Sequence, residues 1–543
     1  MKIQSALSAS TARTLPGVLV TSIAGLVLCA ANPVFAVDKP AISAVSAASS
    51  VAASTGHNDA GGIDWRKDND VDAAFAQAKA SKKPMFLYWG AVWCPPCNQV
   101  KATIFNRQDF IDRSRHFIPV YLDGDTPSAQ KLAARFKVRG YPTMILFKPD
   151  GSEITRLPGE VDAERYLQVL VSAMNSSLSV QDSLKLALAG SKKVNAEDWS
   201  LLADYSWDDP EQKLVNNKEV ASTLFRLAEL CPAGPNATRL YLKALSVSAT
   251  TPPGQNGIDK TVAVEKVIKA LGDSHLARDN MDIVTGSPAE LLDYLSAPKT
   301  DTRGKLIVAL NAALLKLADD TTLSKTDRLG AVNGLATLAK LDNAKPESSF
   351  LKDIQKRVTQ IEQATTDAYE RQSVVNAAAH AYGSAGMLDE SDNLLRAELK
   401  RSHSPYYFMS SLASNAKKRG DKAAAVNWYE QAYNAAKGPA TRLQWGSSYV
   451  SGLTELAPSE DARIEKAVQS VLAEIGTTEN AFYERNRAYL DRMGKKLLEW
   501  NKDGKHQASF QKIRTQLDGI CAKLPANDPQ RAACQAVLSN AKS

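Results

Sequence analysis

The chain has 543 residues, of which 44% are hydrophobic and 23% are charged, as is typical of soluble globular proteins. This length exceeds one ordinary domain, since domains average roughly 150 residues. The 66 lysines and arginines are interspersed with 59 aspartates and glutamates, giving a net charge of +7. No dense basic run with interleaved aromatic residues occurs, which argues against nucleic-acid binding.

The N-terminus has the pattern of an export signal. Lys2 and Arg13 precede an apolar run over residues 18–31, and residues 34–36 (VFA) offer small side chains at the positions that a signal peptidase reads. These features predict a signal peptide over residues 1–36 that is cleaved at its end. The mature protein is then expected in the bacterial periplasm, or otherwise exported, without a stable membrane span.

Two alternatives for the N-terminus stay open. One is a retained membrane anchor, although the apolar run is short for a bilayer span of about 20 residues. The other is a lipoprotein modified at Cys29, although Leu28 stands where such sites have a small residue.

The composition changes near residue 62. Residues 37–62 are rich in alanine, serine and glycine and cannot build a core, so a disordered linker is predicted. Residues 63–178 instead alternate strand and helix patterns, which predicts an α/β fold with helices on both faces of a central mixed sheet. The predicted elements are helix 70–83, strand 84–93, helix 94–105, strand 117–125, helix 129–138, paired strands within 143–157 and helix 162–174.

Residues 179–543 show almost no strand pattern. Apolar residues recur at helical spacing, and glycine and proline separate the segments, which predicts an all-α domain. A period of 34 residues aligns Ala379, Gly386, Ser391, Leu395 and Pro405 with Ala413, Gly420, Ala425, Tyr429 and Pro439. This pattern resembles tetratricopeptide repeats over residues 372–440. An irregular helical bundle with a chance period is the alternative.

The sequence Trp93-Cys94-Pro95-Pro96-Cys97 is the strongest chemical motif. It lies where a buried strand is predicted to end and a helix to begin. Unpaired N–H groups and the helix dipole stabilise a thiolate at such a helix start, and the thiolate is the nucleophile of disulfide exchange. We therefore predict that Cys94 and Cys97 are a catalytic redox pair. A structural disulfide is one alternative, and half of a zinc site is another; zinc would need a second pair of ligands, and neither a metal nor a cofactor is predicted.

A second motif, GYPT at residues 140–143, lies directly before an apolar strand. WCxxC followed by GYPT at this separation resembles the thioredoxin superfamily, and the resemblance covers the α/β segment. It implies a thioredoxin fold in which Pro142 is cis and packs against the sulfurs, while Tyr141 offers its backbone to an extended substrate chain. It also implies that Trp93 and Gly159 line the substrate-binding surface.

One position departs from the thioredoxin pattern. Typical thioredoxins have a buried aspartate six residues before the first redox cysteine, and here that residue is Tyr88. A buried tyrosine stays protonated near neutral pH, so it cannot take the proton of Cys97. The Pro95-Pro96 pair resembles those of tryparedoxins, nucleoredoxins and some exported thioredoxin-like reductases. The family resemblance favours reduction or exchange over oxidation, and the reduction potential stays open.

The remaining mature cysteines lie in the helical segment. Cys521 and Cys534 flank a predicted helix–turn–helix with Pro525 and Pro529 in its turn, which favours a structural disulfide between two terminal helices. A second redox pair is the alternative. Cys231 is predicted to be a buried free thiol, with a resolving or intermolecular role as the alternative.

Two functional hypotheses follow from these patterns. The first is an exported thiol–disulfide oxidoreductase whose partners are protein thiols and disulfides and an unidentified redox partner, with a client bound by the helical region. The second is an interaction scaffold in which the repeats bind a partner and the thioredoxin-like domain docks or senses redox state. The enzyme hypothesis requires Pro142 to lie beside Cys94 and a route by which an outside sulfur reaches the dithiol.

Overall fold

The computed structural model describes most of the chain beyond residue 61. The described residues are 62–66, 70–157, 162–176, 178–207, 214–250, 258–343, 345–478 and 480–539. The chain divides into two units, Met1–His57 and Asn58–Ser543, and every described residue belongs to the second. The predicted signal peptide, the predicted linker apart from Gly62, and Gly159 lie outside the described residues.

A four-stranded mixed sheet forms the first part of this unit. Its strands are β1 (Met85–Gly90), β2 (Ile118–Asp123), β3 (Thr143–Phe147) and β4 (Glu153–Arg156), in the order β2-β1-β3-β4. β1 runs parallel to β2 and antiparallel to β3, and β3 is antiparallel to β4. The carboxyl ends of β1 and β2 therefore meet at one edge of the sheet.

Helices cover both faces of this sheet. They are α1 (Val71–Ser81), α2 (Pro95–Val100), α3 (Gln108–Ser114), α4 (Pro127–Phe136) and α5 (Ala163–Asn175). Because side chains alternate along a strand, Phe86 and Tyr88 of β1 pack on one side with residues of α3 and α5. Leu87 and Trp89 pack on the other side with residues of α1 and α4. These two cores confirm the predicted α/β fold.

The segment after the dithiol differs from the predicted helix over residues 94–105. α2 ends at Val100, and a π-helical turn over Lys101–Phe105 continues it. α3 has no counterpart among the predicted elements. Its buried apolar residues, Phe110 and Ile111, are adjacent and so produce no helical period.

All described elements after α5 are helical, which confirms the predicted all-α region. Apart from the short 3-10 helices Asn217–Glu219 and Leu341–Asn343, the first eleven described helices are α6 (Val180–Leu188), α7 (Ala196–Asp204), α8 (Val220–Leu230), α9 (Pro235–Thr250), α10 (Lys260–Gly272), α11 (Ser274–Asp279), α12 (Met281–Gly286), α13 (Pro288–Leu295), α14 (Asp301–Asp319), α15 (Lys325–Ala339) and α16 (Ser348–Gln363). The other nine are α17 (Ala368–Ala385), α18 (Leu388–Glu398), α19 (Tyr406–Lys418), α20 (Lys422–Ala435), α21 (Pro439–Leu456), α22 (Asp461–Ile475), α23 (Glu484–Trp500), α24 (Gln507–Lys523) and α25 (Pro529–Ala536).

Two consecutive helix pairs, α17–α18 and α19–α20, occupy the segment with the 34-residue period. Gly386 follows α17 with a φ of +84°, and Gly420 follows α19 with a φ of +80°, a conformation that favours glycine at a helix end. Ala379 and Ala413, which are equivalent in the repeat, are both buried. The tetratricopeptide assignment itself stays a prediction.

Buried ion pairs join the sheet-containing part to the helical region. Arg165 of α5 lies 2.6 Å from Asp204 of α7, and Asp204 lies 2.6 Å from Arg239 of α9. Removing one partner of such a pair leaves an uncompensated buried charge, which costs about 3–5 kcal/mol. These ion pairs therefore connect α5 to α7 and α9. No described helix combines the length and hydropathy that crossing a bilayer requires.

Candidate active site

Cys94 and Cys97 lie at the start of α2, directly after the turn that follows β1. Cys94 is the N-cap residue of α2, and its Sγ accepts a hydrogen bond of 3.2 Å from the backbone N–H of Cys97. Pro95 occupies a first-turn position whose missing N–H costs the helix nothing. The two cysteines form a disulfide, with their Cα atoms 5.2 Å apart. On reduction, the same capping geometry favours a thiolate at Cys94.

The segment before β3 supplies the residue that faces Cys94. The Tyr141–Pro142 peptide bond is cis, and the Tyr141 carbonyl oxygen lies 3.4 Å from Cys94 Sγ. The Tyr141 hydroxyl donates to the Gly124 carbonyl at 3.1 Å, and a side chain at Gly124 would collide with this ring. Burial raises the pKa of Tyr141 to about 12, so its hydroxyl stays protonated. The Tyr141 carbonyl, which precedes the bond to Pro142, thus lies beside Cys94, and direct packing of Pro142 on the sulfurs stays a prediction.

The helical region covers the dithiol. Cys94 is 2% exposed, Cys97 0% and Trp93 5%, and all three belong to one apolar cluster with residues of α19 to α25. Pro96, Tyr141 and Pro142 keep part of their surface exposed. Within the residues that the structure describes, the open access to the sulfurs that the enzyme hypothesis expects is therefore absent, and a protein partner requires part of the covering surface to move.

Trp93 makes the main aromatic contact with the covering helices. Its ring stacks on that of Tyr407 of α19, with centroids 5.9 Å apart and an interplanar angle of 25°. Its indole N–H donates to the carboxylate of Asp125. Asp125 also accepts from the backbone N–H of Thr441 at 3.0 Å and from its hydroxyl. Gly438 passes so close to Asp125 that a Cβ there would lie 2.7 Å from Cγ.

Arg485 of α23 also faces the Trp93 ring, together with two tyrosine rings. Its Cζ is 5.6 Å from the ring centroid of Trp93, 4.9 Å from that of Tyr141 and 4.7 Å from that of Tyr489. The neighbouring Asn486 donates to the Gln130 side chain of α4 at 2.8 Å. α23 is therefore fixed to the thioredoxin-like part at several points around the dithiol.

A second set of contacts joins α2 and the turn before it to other parts of the helical region. Gln99 donates to the Asp327 carboxylate of α15 at 2.8 Å, and the His403 ring lies 3.2 Å from the Val92 carbonyl oxygen. Burial raises the pKa of Asp327 to about 6, against the opposing effect of its hydrogen bond from Ser324. α17 also packs along α2.

Tyr88 of β1, six residues before Cys94, lies within the aromatic core of the sheet. Its ring stacks on Tyr121 at 5.3 Å and meets Phe105 edge-on at 4.9 Å. Burial, and to a lesser extent the charge of Asp123, raises the pKa of Tyr88 well above its ordinary value. Its hydroxyl is buried and has no hydrogen-bond partner among the described residues. A phenol in this state accepts no proton from Cys97.

The other predicted cysteines lie far along the chain. Cys521 of α24 and Cys534 of α25 form a disulfide, with Cα atoms 5.6 Å apart, and both are buried. Cys231 is buried and forms no disulfide, and burial raises the pKa of its thiol to about 11. A thiol with such a pKa is a poor nucleophile near neutral pH.

Sequence reasoning missed Asp125, Tyr407 and Arg485. A signal for Asp125 existed, because it follows β2 at the same sheet edge where Cys94 follows β1. Tyr407 and Arg485 carried no such signal. They lie on helices far from Cys94 in the sequence, and no local motif distinguishes them from the residues around them.

Comparison with known proteins finds thioredoxin-like relatives for the segment that contains the dithiol. A family model described as a thioredoxin-like domain matches residues 71–173. The chain is 32% identical over 103 residues to a thiol:disulfide interchange protein DsbD of Pseudomonas fluorescens, covering 18% of each chain. It is 26% identical over 102 residues to a TPR repeat-containing thioredoxin TDX of Arabidopsis thaliana, covering 19% of this chain and 25% of that one.

The chain also matches a thioredoxin of Mycobacterium tuberculosis over most of that protein's length. It is 35% identical over 90 residues, which is 16% of this chain and 73% of the thioredoxin. The chain spans less than a fifth of the length of the DsbD relatives that it matches. The match to most of a whole thioredoxin, together with the fold, shows that the chain belongs to the thioredoxin family.

Proposed function

We propose that the protein is an exported thiol–disulfide oxidoreductase that exchanges electrons with protein disulfides through Cys94 and Cys97, in the direction of reduction or exchange. The observation that carries this proposal is the position of Cys94, at a helix start with Cys97 at bonding distance and the Tyr141 carbonyl 3.4 Å away. The names of the relatives, thioredoxin and thiol:disulfide interchange protein, support the same chemistry.

The proposed reaction uses two sulfurs in turn. The Cys94 thiolate attacks a disulfide of the partner, a mixed disulfide forms, and one partner sulfur leaves as a thiol after taking a proton. Cys97 then attacks Cys94 Sγ, which releases the second partner sulfur and forms the Cys94–Cys97 disulfide. Two electrons have passed to the partner, and a dithiol of a separate donor protein restores the pair.

The proposed substrate contacts are Trp93, Tyr141, Pro142 and Gly159. Trp93 directly precedes Cys94, the Tyr141 carbonyl lies 3.4 Å from Cys94 Sγ, and α19 and α23 cover Trp93. We therefore place a step before catalysis in which these helices separate from Trp93. In the proposal the helical region also binds the client, so that client binding and exposure of Cys94 occur together.

A scaffold is the second candidate function. The burial of both sulfurs favours it, because a dithiol enclosed by its own chain is also the arrangement expected of a docking module. In that case the Cys94–Cys97 disulfide would stabilise the fold or report redox state without turnover.

Reduction of insulin with dithiothreitol as the electron donor distinguishes these functions. We expect the wild-type chain to accelerate the reaction and Cys94→Ser to abolish the acceleration, while Cys231→Ser, a matched control at a buried thiol, retains it. Equal rates for wild type and Cys94→Ser would leave the scaffold function. The reduction potential of the Cys94/Cys97 pair reports direction: a value near about −270 mV indicates a reductant, and one near about −120 mV an oxidant.

A further inference from the structure

Arg485 is a buried cation whose hydrogen-bond partners are neutral. Its side chain is 5% exposed, and its guanidinium donates to the Ala440 carbonyl at 3.2 Å and to the Gln444 side-chain oxygen. Within the described part of the chain, no carboxylate lies at ion-pair distance from it. Burying a charge without a counter-charge is costly, so this position calls for an explanation beyond packing.

The surroundings of Arg485 connect it to the nucleophile. Two of the three rings that it faces belong to Trp93, the residue before Cys94, and to Tyr141, whose carbonyl oxygen lies 3.4 Å from Cys94 Sγ. The guanidinium thus faces the chain neighbour of Cys94 and the residue whose carbonyl contacts its sulfur. In the disulfide form the sulfur is neutral, and reduction adds a negative charge there.

Other charged groups around the dithiol are already engaged. Asp125, at the indole N–H edge of Trp93, accepts three hydrogen bonds, from Trp93 and Thr441. Burial raises the pKa values of Tyr141, Tyr406 and Tyr407, which keeps these phenols neutral. Among the described residues, the titratable and charged groups near the dithiol include Lys101, Asp123, Asp125, Tyr141, Asp327, His403, Tyr406, Tyr407, Arg485 and Tyr489.

We infer that Arg485 is a positioning residue that supplies the counter-charge for the Cys94 thiolate from the helical region. The inference rests on the proposed function. Two-electron reduction of the disulfide by a donor dithiol, with uptake of one proton by Cys97, leaves a thiolate at Cys94, next to the two residues whose rings the guanidinium faces. Because coupling is reciprocal, the helical region then binds the reduced thioredoxin-like domain more tightly than the oxidised one.

The test is the pH profile of Cys94 alkylation by iodoacetamide in the reduced full-length chain, read by peptide mass spectrometry. The midpoint of the profile reports the thiolate equilibrium, and the plateau rate reports access to the sulfur. We expect Arg485→Gln to raise the midpoint by about one pH unit, the lower end of what a nearby opposite charge produces. Arg485→Lys, which keeps the charge, should stay closer to wild type.

The matched control is Arg492→Gln, on the same helix. Arg492 faces the outer side of the Tyr489 ring at 4.3 Å and is exposed, so its loss should leave the midpoint unchanged. An unchanged midpoint in Arg485→Gln with a raised plateau would overturn the inference, because Arg485 would then only hold the helices in place. Should Arg485→Gln fail to fold, Gln444→Ala removes one acceptor that orients the guanidinium and should raise the midpoint in the same direction.

This readout is independent of turnover. If Cys94→Ser reduces insulin as fast as wild type, the proposed function fails whatever the alkylation profile shows. If turnover depends on Cys94 but the midpoint ignores Arg485, only the inference about Arg485 fails.

Discussion

Truncation of Tyr407 should open the covered dithiol. The stack between Tyr407 and Trp93 is a direct aromatic contact between α19 and the active-site turn, and such a pair is worth about 0.5–1.5 kcal/mol beyond its buried area. Tyr407→Ala removes this contact and keeps Trp445, the aromatic neighbour of Tyr407 within the helical region. Partners are expected to react with a minority state in which α19 has separated from Trp93. Losing about 0.5–1.5 kcal/mol from the covered state raises the population of this open state by about 2- to 13-fold.

The assay for this prediction is the initial rate of insulin reduction at a fixed dithiothreitol concentration, where we expect a rise of that size. The matched control is Trp428→Ala, which removes an aromatic side chain that packs within the helical region, with Arg396 5.0 Å from its ring. Its rate should match wild type. A Tyr407→Ala protein that is folded but no faster would refute the reasoning, since contact with Trp93 would not then limit access to Cys94.

Three further predictions concern stability in urea unfolding. Replacing Cys521 and Cys534 by serine should lower the free energy of unfolding by about 3 kcal/mol, the loop-closure value for a sequence separation of 13; an unchanged midpoint would show that the bond does not form. Tyr88→Phe should leave stability unchanged or raise it by about 1 kcal/mol, because the removed hydroxyl is buried without a partner; a loss would reveal a hidden hydrogen bond. Burial raises the pKa of Asp327 to about 6, so the folded state binds more protons than the unfolded state between about pH 4 and 6, and stability should fall as pH rises through that window. Asp327→Asn should flatten this dependence, and an identical slope in both proteins would contradict the assignment.

The fold was predictable where its signals are local. The alternation of strand and helix patterns up to residue 178 and the helical spacing beyond it were sufficient to assign both fold classes, because each pattern is read within one element. α3 escaped prediction because Phe110 and Ile111 are adjacent. The π-helical turn over Lys101–Phe105 escaped it because its apolar residues fit an ordinary helix equally well.

The candidate site divides in the same way. Cys94 and Cys97 sit on one helical turn, and Tyr141 reaches them because β3 pairs with β1, so two short motifs were enough to bring these residues together. The residues that enclose them were out of reach. Tyr407 and Arg485 approach Trp93 only through the packing of many helices, and no period or motif in a single sequence encodes that approach.

One conformational equilibrium connects the two candidate functions. The joint of Arg165, Asp204 and Arg239 is made of buried ion pairs. The contacts around the dithiol are instead hydrogen bonds, one ring stack, the cation–π contacts of Arg485 and apolar packing. The surface over Cys94 is the one that must separate before a partner sulfur can reach Cys94, which is 2% exposed. An oxidoreductase needs that separation in every cycle, while a scaffold needs it only when a partner arrives. The functions thus differ in how often the same contact opens, which is why the rate at which Cys94 becomes reactive decides between them.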